Sequence, residues 1–222
     1  MLIAVANLKS GCGQSTCAVN LACELAGEKA SAGAGRWEHA DTVILLSVLM
    51  LADSSDHYCS SGKLPISCEH LALVDRSGDR WTKRVLEYAA GVDYVVVDSP
   101  PHLHDATADM VRISDLVVVP CSTSDLEATR TMIGLIRRAR SLRADGGPKC
   151  LLAPTRVGPG AAARKELVTE LEKLGEPVGP TVHERAAFAE AFLAGRWIGD
   201  FDPNGIAHAD IKAVAAAVRH LG

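Results

Sequence analysis

Ten residues near the N-terminus, "NLKSGCGQST" from Asn7 to Thr16, combine two glycines, several polar side chains and a cation directly after the apolar stretch "LIAVAN". That combination can bind phosphate. A loop that wraps phosphates needs glycines so that several backbone N–H groups can point inward, and a helix N-terminus behind it to favour negative charge. Gly11 and Gly13, with a helix beginning near Ser15, meet both needs. Ser15 stands where such a loop places the hydroxyl that binds Mg2+. Asp98, ending the β-branched run "DYVVVD", is where a second carboxylate would hold the ion's water shell. The strict phosphate-loop pattern fails at two positions, Leu8 for its first glycine and Gln14 for its lysine. On the loop alone, a tight structural turn and a nucleotide site both stay open.

The elements that would position these residues follow from apolar periodicity. A strand over Leu2 to Ala6 leads through the glycine turn into a helix from Ser15 to about Lys29, and "TVILLSVLML" is apolar enough for a strand buried on both faces. A short strand is expected at "LALVD", a helix over "DRWTKRVLEYAA", a strand at "DYVVVD" stopped by Pro100 and Pro101, and a helix around "HDATADMVRI". Then come a strand at "DLVVVP", an arginine-rich helix, a strand at "KCLLAP", and a helix over "AAARKELVTELEKL". An extended piece at "EPVGPTV", a helix around "ERAAFAEAFLAG" and a last helix from about Pro203 to Leu221 complete the chain. Strands alternating with helices imply an α/β, doubly wound, mostly parallel sheet with helices on both faces, whose ligands sit beyond the carboxyl ends of the strands. The glycine turn, Asp53 and Asp98 all fall at such ends.

Composition narrows the class. With 222 residues, 48% of them apolar and 23% charged, the expectation is one soluble domain over residues 1–222, and no apolar run approaches a bilayer span. The cytoplasm is the default location, because the N-terminus lacks a basic region and a cleavage site. The seven cysteines are odd in number and irregular in spacing, which fits reduced, buried thiols rather than disulfides or a zinc site. A net charge of −4 does not call for nucleic acid, although Arg130, Arg137, Arg138, Arg140 and Arg143 concentrate on one helix. That helix also reads as a solvated face with cations near its C-terminal end.

Taken together, "LKSGCGQST" with "AVNLA" downstream, "DYVVVDSPP", "SDLVVVPCSTSDLEA" and "PTVHERAAFAEAFLAG" resemble the ParA branch of the ParA/MinD family of deviant Walker ATPases. The motifs fall in the family's order from residue 2 to about 215. The family loop, Lys-Gly-Gly-x-Gly-Lys-Thr/Ser-Thr/Ser, is matched at Lys9, Gly11, Gly13, Ser15 and Thr16 and departs at Ser10 and Gln14. The resemblance implies that Lys9, Ser10, Gly11, Cys12, Gly13, Gln14, Ser15 and Thr16 line an ATP site and that Ser15 and Asp98 hold Mg2+. It implies further that Lys9 reaches across a nucleotide-sandwich homodimer to the partner's phosphates, and that Asp98 is the Walker B aspartate. The family's Asp-x-Asp-Pro segment aligns best with "LADS", so that Asp53 keeps the aspartate that helps place the attacking water; a turn residue or helix cap in "DSSD" is the other reading.

Gln14 is the informative departure. The lysine it replaces is a point charge against the β and γ phosphates, and a glutamine amide brings a donor without the charge. The resemblance thus implies a catalytic set of Lys9, Gln14, Asp53 and Asp98, with hydrolysis expected to be weakened by on the order of a hundredfold or more. Two explanations compete: a slow ATP clamp, or an engineered or degenerate form that traps one state. The family's cycle implies an ATP-bound homodimer that binds nonspecific DNA on the nucleoid and is released by a ParB-like or cargo adaptor protein. Its cargo would be DNA or protein. Arg185 in "HERAAF", with Lys212 and Arg219 on the last helix, are the DNA-binding candidates; ordinary surface charge is the alternative. A second function reading is a non-hydrolysing, partner-binding protein of the same fold. The MinD alternative needs a membrane-binding C-terminal helix, and "ADIKAVAAAVRHLG" is too alanine-rich for one. His102 and His104 read as exposed loop histidines.

Overall fold

Leu2, Ile3, Ala4 and Val5 are all buried, which only the centre of a sheet covered on both faces requires of four consecutive residues. In the computed structural model, which describes residues 1–27, 43–49, 54–72, 78–99, 105–124, 126–158 and 160–222, they form β1 (Leu2–Val5). There follow α1 (Gln14–Leu25), β2 (Val43–Leu49), α2 (Ser54–Ser60), β3 (Ser67–Ala72), α3 (Gly78–Ala90), β4 (Tyr94–Asp98) and α4 (Asp105–Ile113). The second half contains β5 (Leu116–Cys121), α5 (Leu126–Leu142), β6 (Lys149–Val157), α6 (Ala161–Glu172), β7 (Val182–His183), α7 (Ala186–Leu193), α8 (Ile198–Phe201) and α9 (Ile206–Leu221).

The strands pair in the order β3-β2-β4-β1-β5-β6-β7, and every pairing is parallel. This is the doubly wound α/β sheet expected from the sequence. Alternate residues of β1 feed two cores. Ile3 and Val5 pack with α1 and with Ile211, Val214 and Val218 of α9. Leu2 and Ala4 pack on the other face with Trp81 of α3, Met110 of α4 and Met132 and Ile136 of α5. Since α1 leaves β1 toward one face and α4 leaves the adjacent β4 toward the other, a crevice opens where β1 and β4 end, as it does at the strand-order reversal of such sheets.

Several boundaries differ from the sequence expectation. The third strand begins at Ser67, ahead of "LALVD", because an edge strand paired only with β2 is not forced to be apolar on both sides; Ser67 is exposed and Cys68 and Glu69 are half-buried. The extended piece at "EPVGPTV" resolves into a bridge between Val178 and Leu152 and the two-residue β7. The last helix starts at Ile206, after Gly205, rather than near Pro203. Two short helices, α2 and α8, have too few turns to show a periodic pattern in the sequence. Asp53, His102, His104 and the polar segment preceding β2 lie outside the described residues.

Candidate phosphate-loop site

The turn between β1 and α1 is built on two left-handed residues, Gly11 at φ 84° and Gly13 at φ 86°. Any other residue would be strained there by its Cβ. Gly13 is the N-cap of α1; its carbonyl accepts the Cys17 N–H at 2.8 Å, no side chain caps the helix, and its first turn carries no acidic residue. The initial N–H groups of a helix have no intrahelical partner, so this end presents donors and the positive end of the dipole to the crevice. A cavity of about 430 Å³ lies over the loop, in the size range of small-molecule sites. Lys9, Ser10, Gly11, Gly13, Gln14, Ser15 and Thr16 line one side, and Arg156, His183, Arg185, Phe188 and Phe192 the other. Cys12 is buried beneath, with its carbonyl accepting the Thr155 hydroxyl at 2.7 Å.

Gln14 is buried and joins the ends of β1 and β4. Its Oε1 accepts the Asn7 N–H at 3.2 Å, its Nε2 donates to the Ser99 carbonyl, and Nε2 lies 3.5 Å from Asp98 Oδ1. Asn7 in turn donates through Nδ2 to the Pro120 carbonyl at 2.6 Å, so the loop's entry is tied to the end of β5. Asp98 is 2% exposed at the end of β4, opposite Val5 in register. The polar groups thus converge where strand order reverses. Cys17, behind the loop, has its thiol pushed up to about 12, first by burial, then by Cys12 and the Asp98 carboxylate.

Does this arrangement suit a nucleotide with Mg2+? The Ser99 hydroxyl, which is buried at the cavity, has no hydrogen-bond partner among the described residues, and a buried polar atom of that kind is usually met by a ligand or water. Mg2+ typically keeps several waters and takes one or two protein oxygens beside phosphate. Ser15 at the cavity wall and Asp98 at the β4 end are oxygens of the right type. Among the described residues no group of three or more His, Cys, Asp or Glu could hold a metal ion by itself. Ser15 and Asp98 would suit an ion that brings phosphate oxygens with it.

Lys9 is exposed, and its Nζ donates to the Ser124 carbonyl at 2.7 Å after β5. Arg185 also lines the cavity, with Nε donating to Asp210 Oδ2 of α9 at 3.1 Å; His183 Nδ1 lies 3.1 Å from the same oxygen. Lys212 is exposed two residues further along α9. Arg219 sits about 10 Å beyond Lys212 at the rise of a helix, donating to the Glu24 carbonyl at 2.9 Å. Of the three cations proposed for DNA, Lys212 and Arg219 thus lie on α9, whereas Arg185, the N-cap of α7, only reaches it through Asp210. The arginine helix α5 is extensively paired: Arg137 and Arg140 both meet Glu176 Oε1, at 3.2 and 2.9 Å, and Arg143, which the structure places just past the helix end at Leu142, meets Asp145.

No protein-family model matches the chain. It is 28% identical over 215 residues to the maintenance of carboxysome distribution protein A of Halothiobacillus neapolitanus, covering 94% of this chain and 91% of that protein. The fold agrees with a ParA family ATPase from Chlorobium tepidum (TM-score 0.74, 14% identity, 97% of this chain and 98% of that one). It agrees also with a Cyanothece McdA–ATP complex (TM-score 0.68, 12% identity, 99% and 95%). The chain has the fold of the ParA and MinD ATPases.

The site residues missed by sequence reasoning are as telling as those found. Asn7, Ser99, Thr155 and Arg156 all touch the loop, the cavity or Gln14. Each stands just past an apolar strand or in its last residues. The rule that ligands lie beyond the carboxyl ends of parallel strands would have found them, had it been applied to β6 as it was to β1 and β4. Nothing local to "PTRV" marks it.

Proposed function

We propose that this chain is an ATP-dependent positioning protein of the ParA type, acting as one nucleotide-binding unit over residues 1–222. The observation that carries the reading is the pair of left-handed glycines opening α1 beside the buried Asp98. Residues Ser10 to Thr16 hold the phosphates through backbone donors, Ser15 and Asp98 serve the Mg2+, and Lys9 leaves Ser124 to reach a second copy's nucleotide. Mg2+ supplies charge neutralisation on the phosphates when bound. Asp53 is proposed to place the attacking water. Because the curated relative maintains carboxysome distribution, a large protein assembly is a better cargo for this chain than a plasmid. The ATP dimer binds nonspecific DNA on the nucleoid in the cytoplasm through Arg185, Lys212 and Arg219, and a ParB-like cargo adaptor releases it.

Turnover is set by Gln14. A neutral amide hydrogen-bonded to Ser99 cannot neutralise developing charge on a transferred phosphoryl group, so the natural chain turns over slowly. Steady-state phosphate release from the natural chain and from Gln14→Lys decides this: the lysine raises the rate by on the order of a hundredfold. No turnover in either protein, with ATP still bound, establishes the second reading, a nucleotide-gated partner-binding protein without hydrolysis. The contact of Gln14 with Ser99 and Asp98 is what favours keeping that reading.

A further inference from the structure

Arg156 combines three unusual features. It is the one non-glycine residue at positive φ among the described residues, at 52°. It lies where the pairing of β6 with β7 slips: Thr155 faces Val182 and Val157 faces His183, so Arg156 is the extra residue of a bulge. Bulges re-aim side chains and recur beside functional sites, and a left-handed arginine held at one is a strained arrangement that packing must enforce. Its neighbours Thr155 and Val157 are buried, anchoring the bulge from both sides.

The side chain is aimed at the phosphate loop. Its Cγ lies 3.8 Å from where a Cβ on Gly13 would stand and its Nη1 the same distance from that of Gly11; Nη1 donates to the Gly11 carbonyl. The remaining partner, Glu184 at 3.5 Å, is a loose ion pair between side chains 53% and 60% exposed. Such a pair contributes little, so the guanidinium can be redirected at small cost. A planar fork of donors is the group best matched to phosphate oxygens.

We propose that Arg156 supplies, from β6 of the same chain, the phosphate-binding cation that the loop lacks at Gln14. Without nucleotide it rests on the Gly11 carbonyl; with nucleotide it turns from that carbonyl to the polyphosphate. This rests on the nucleotide reading above and adds the residue that substitutes for the missing lysine. Of the other cations lining the cavity, Arg185 is bonded to Asp210 and Lys9 reaches to Ser124.

The test is equilibrium binding of ATP, ADP and adenosine, with Mg2+, to the whole chain. The variants are Arg156→Asn, which tolerates the left-handed backbone while removing the charge, Arg156→Lys, and the double variant Gln14→Lys with Arg156→Asn. Thermal melts confirm that each is folded. Arg156→Asn weakens ATP by roughly tenfold or more, the loss expected for a charge-assisted contact, leaves adenosine unchanged and flattens the salt dependence. Arg156→Lys retains part of the affinity, and adding Gln14→Lys restores it. ATP binding that is undiminished in Arg156→Asn, or a loss equal for ATP and adenosine, overturns the role of Arg156 while leaving the nucleotide site standing. Failure of the unaltered chain to bind ATP overturns the nucleotide reading itself, and this inference with it.

Discussion

At the scale of single residues, Gln14 occupies the position where the phosphate-loop pattern has a lysine, and its neighbours meet an amide. The Asn7 N–H, the Ser99 carbonyl and Asp98 Oδ1 each face the end of that side chain which can meet them. The amide therefore secures the loop to β4 as well as changing its electrostatics. Cys17 reports on the same region from behind. Its thiol is raised from 9.0 to about 12, chiefly by burial, so the folded chain keeps a proton there that the unfolded chain loses near pH 9. Stability from this group is complete below pH 9 and declines as pH rises toward 12. Urea unfolding at pH 8 and pH 10.5 should show that decline, and Cys17→Ala should reduce it; an identical slope in both proteins contradicts the assignment. Alkylation at pH 8 should spare Cys17 in the folded chain and reach the half-buried Cys59 and Cys68 first.

At the scale of elements, the sheet centre was legible because burial on both faces forces continuous apolar runs, as in β1, β4 and β5. Edge strands lack that pressure, so β3 and β7 were misplaced or blurred. The glycine loop was legible for a different reason: φ values near 85° leave few residue types to choose from. Arg156 and Ser99 were not legible, since their roles come from a bulge and a strand end set by pairings remote in sequence. The arginine helix illustrates the same limit, because Glu176, 4% exposed at its side chain, takes two of its cations. Replacing Glu176 by Ala leaves Arg140 and Arg137 facing each other without the shared carboxylate and should cost about 1–3 kcal/mol, read as a lower urea midpoint; Glu176→Gln should cost less. A midpoint unchanged in Glu176→Ala would show that these pairs are no more than surface contacts.

At the scale of the whole molecule, the apolar face of α9 is buried against α1, with Ile211, Val214, Ala215 and Val218 in the core, and no helix among the described residues is long and apolar enough to cross a membrane. That face is not available as a membrane anchor. The surface around the cavity, which carries Lys9 and Arg185, is where the proposed second copy would close over nucleotide. In the proposed cycle ATP drives this closure. Light-scattering mass with and without Mg2+-ATP tests it most directly. The chain should run at its monomer mass of 23.4 kDa without nucleotide, reach about twice that at saturating ATP, and stay monomeric with ATP when Lys9 is replaced by Ala. A mass that does not change when ATP is bound, or a dimer equally abundant without it, would contradict the claim.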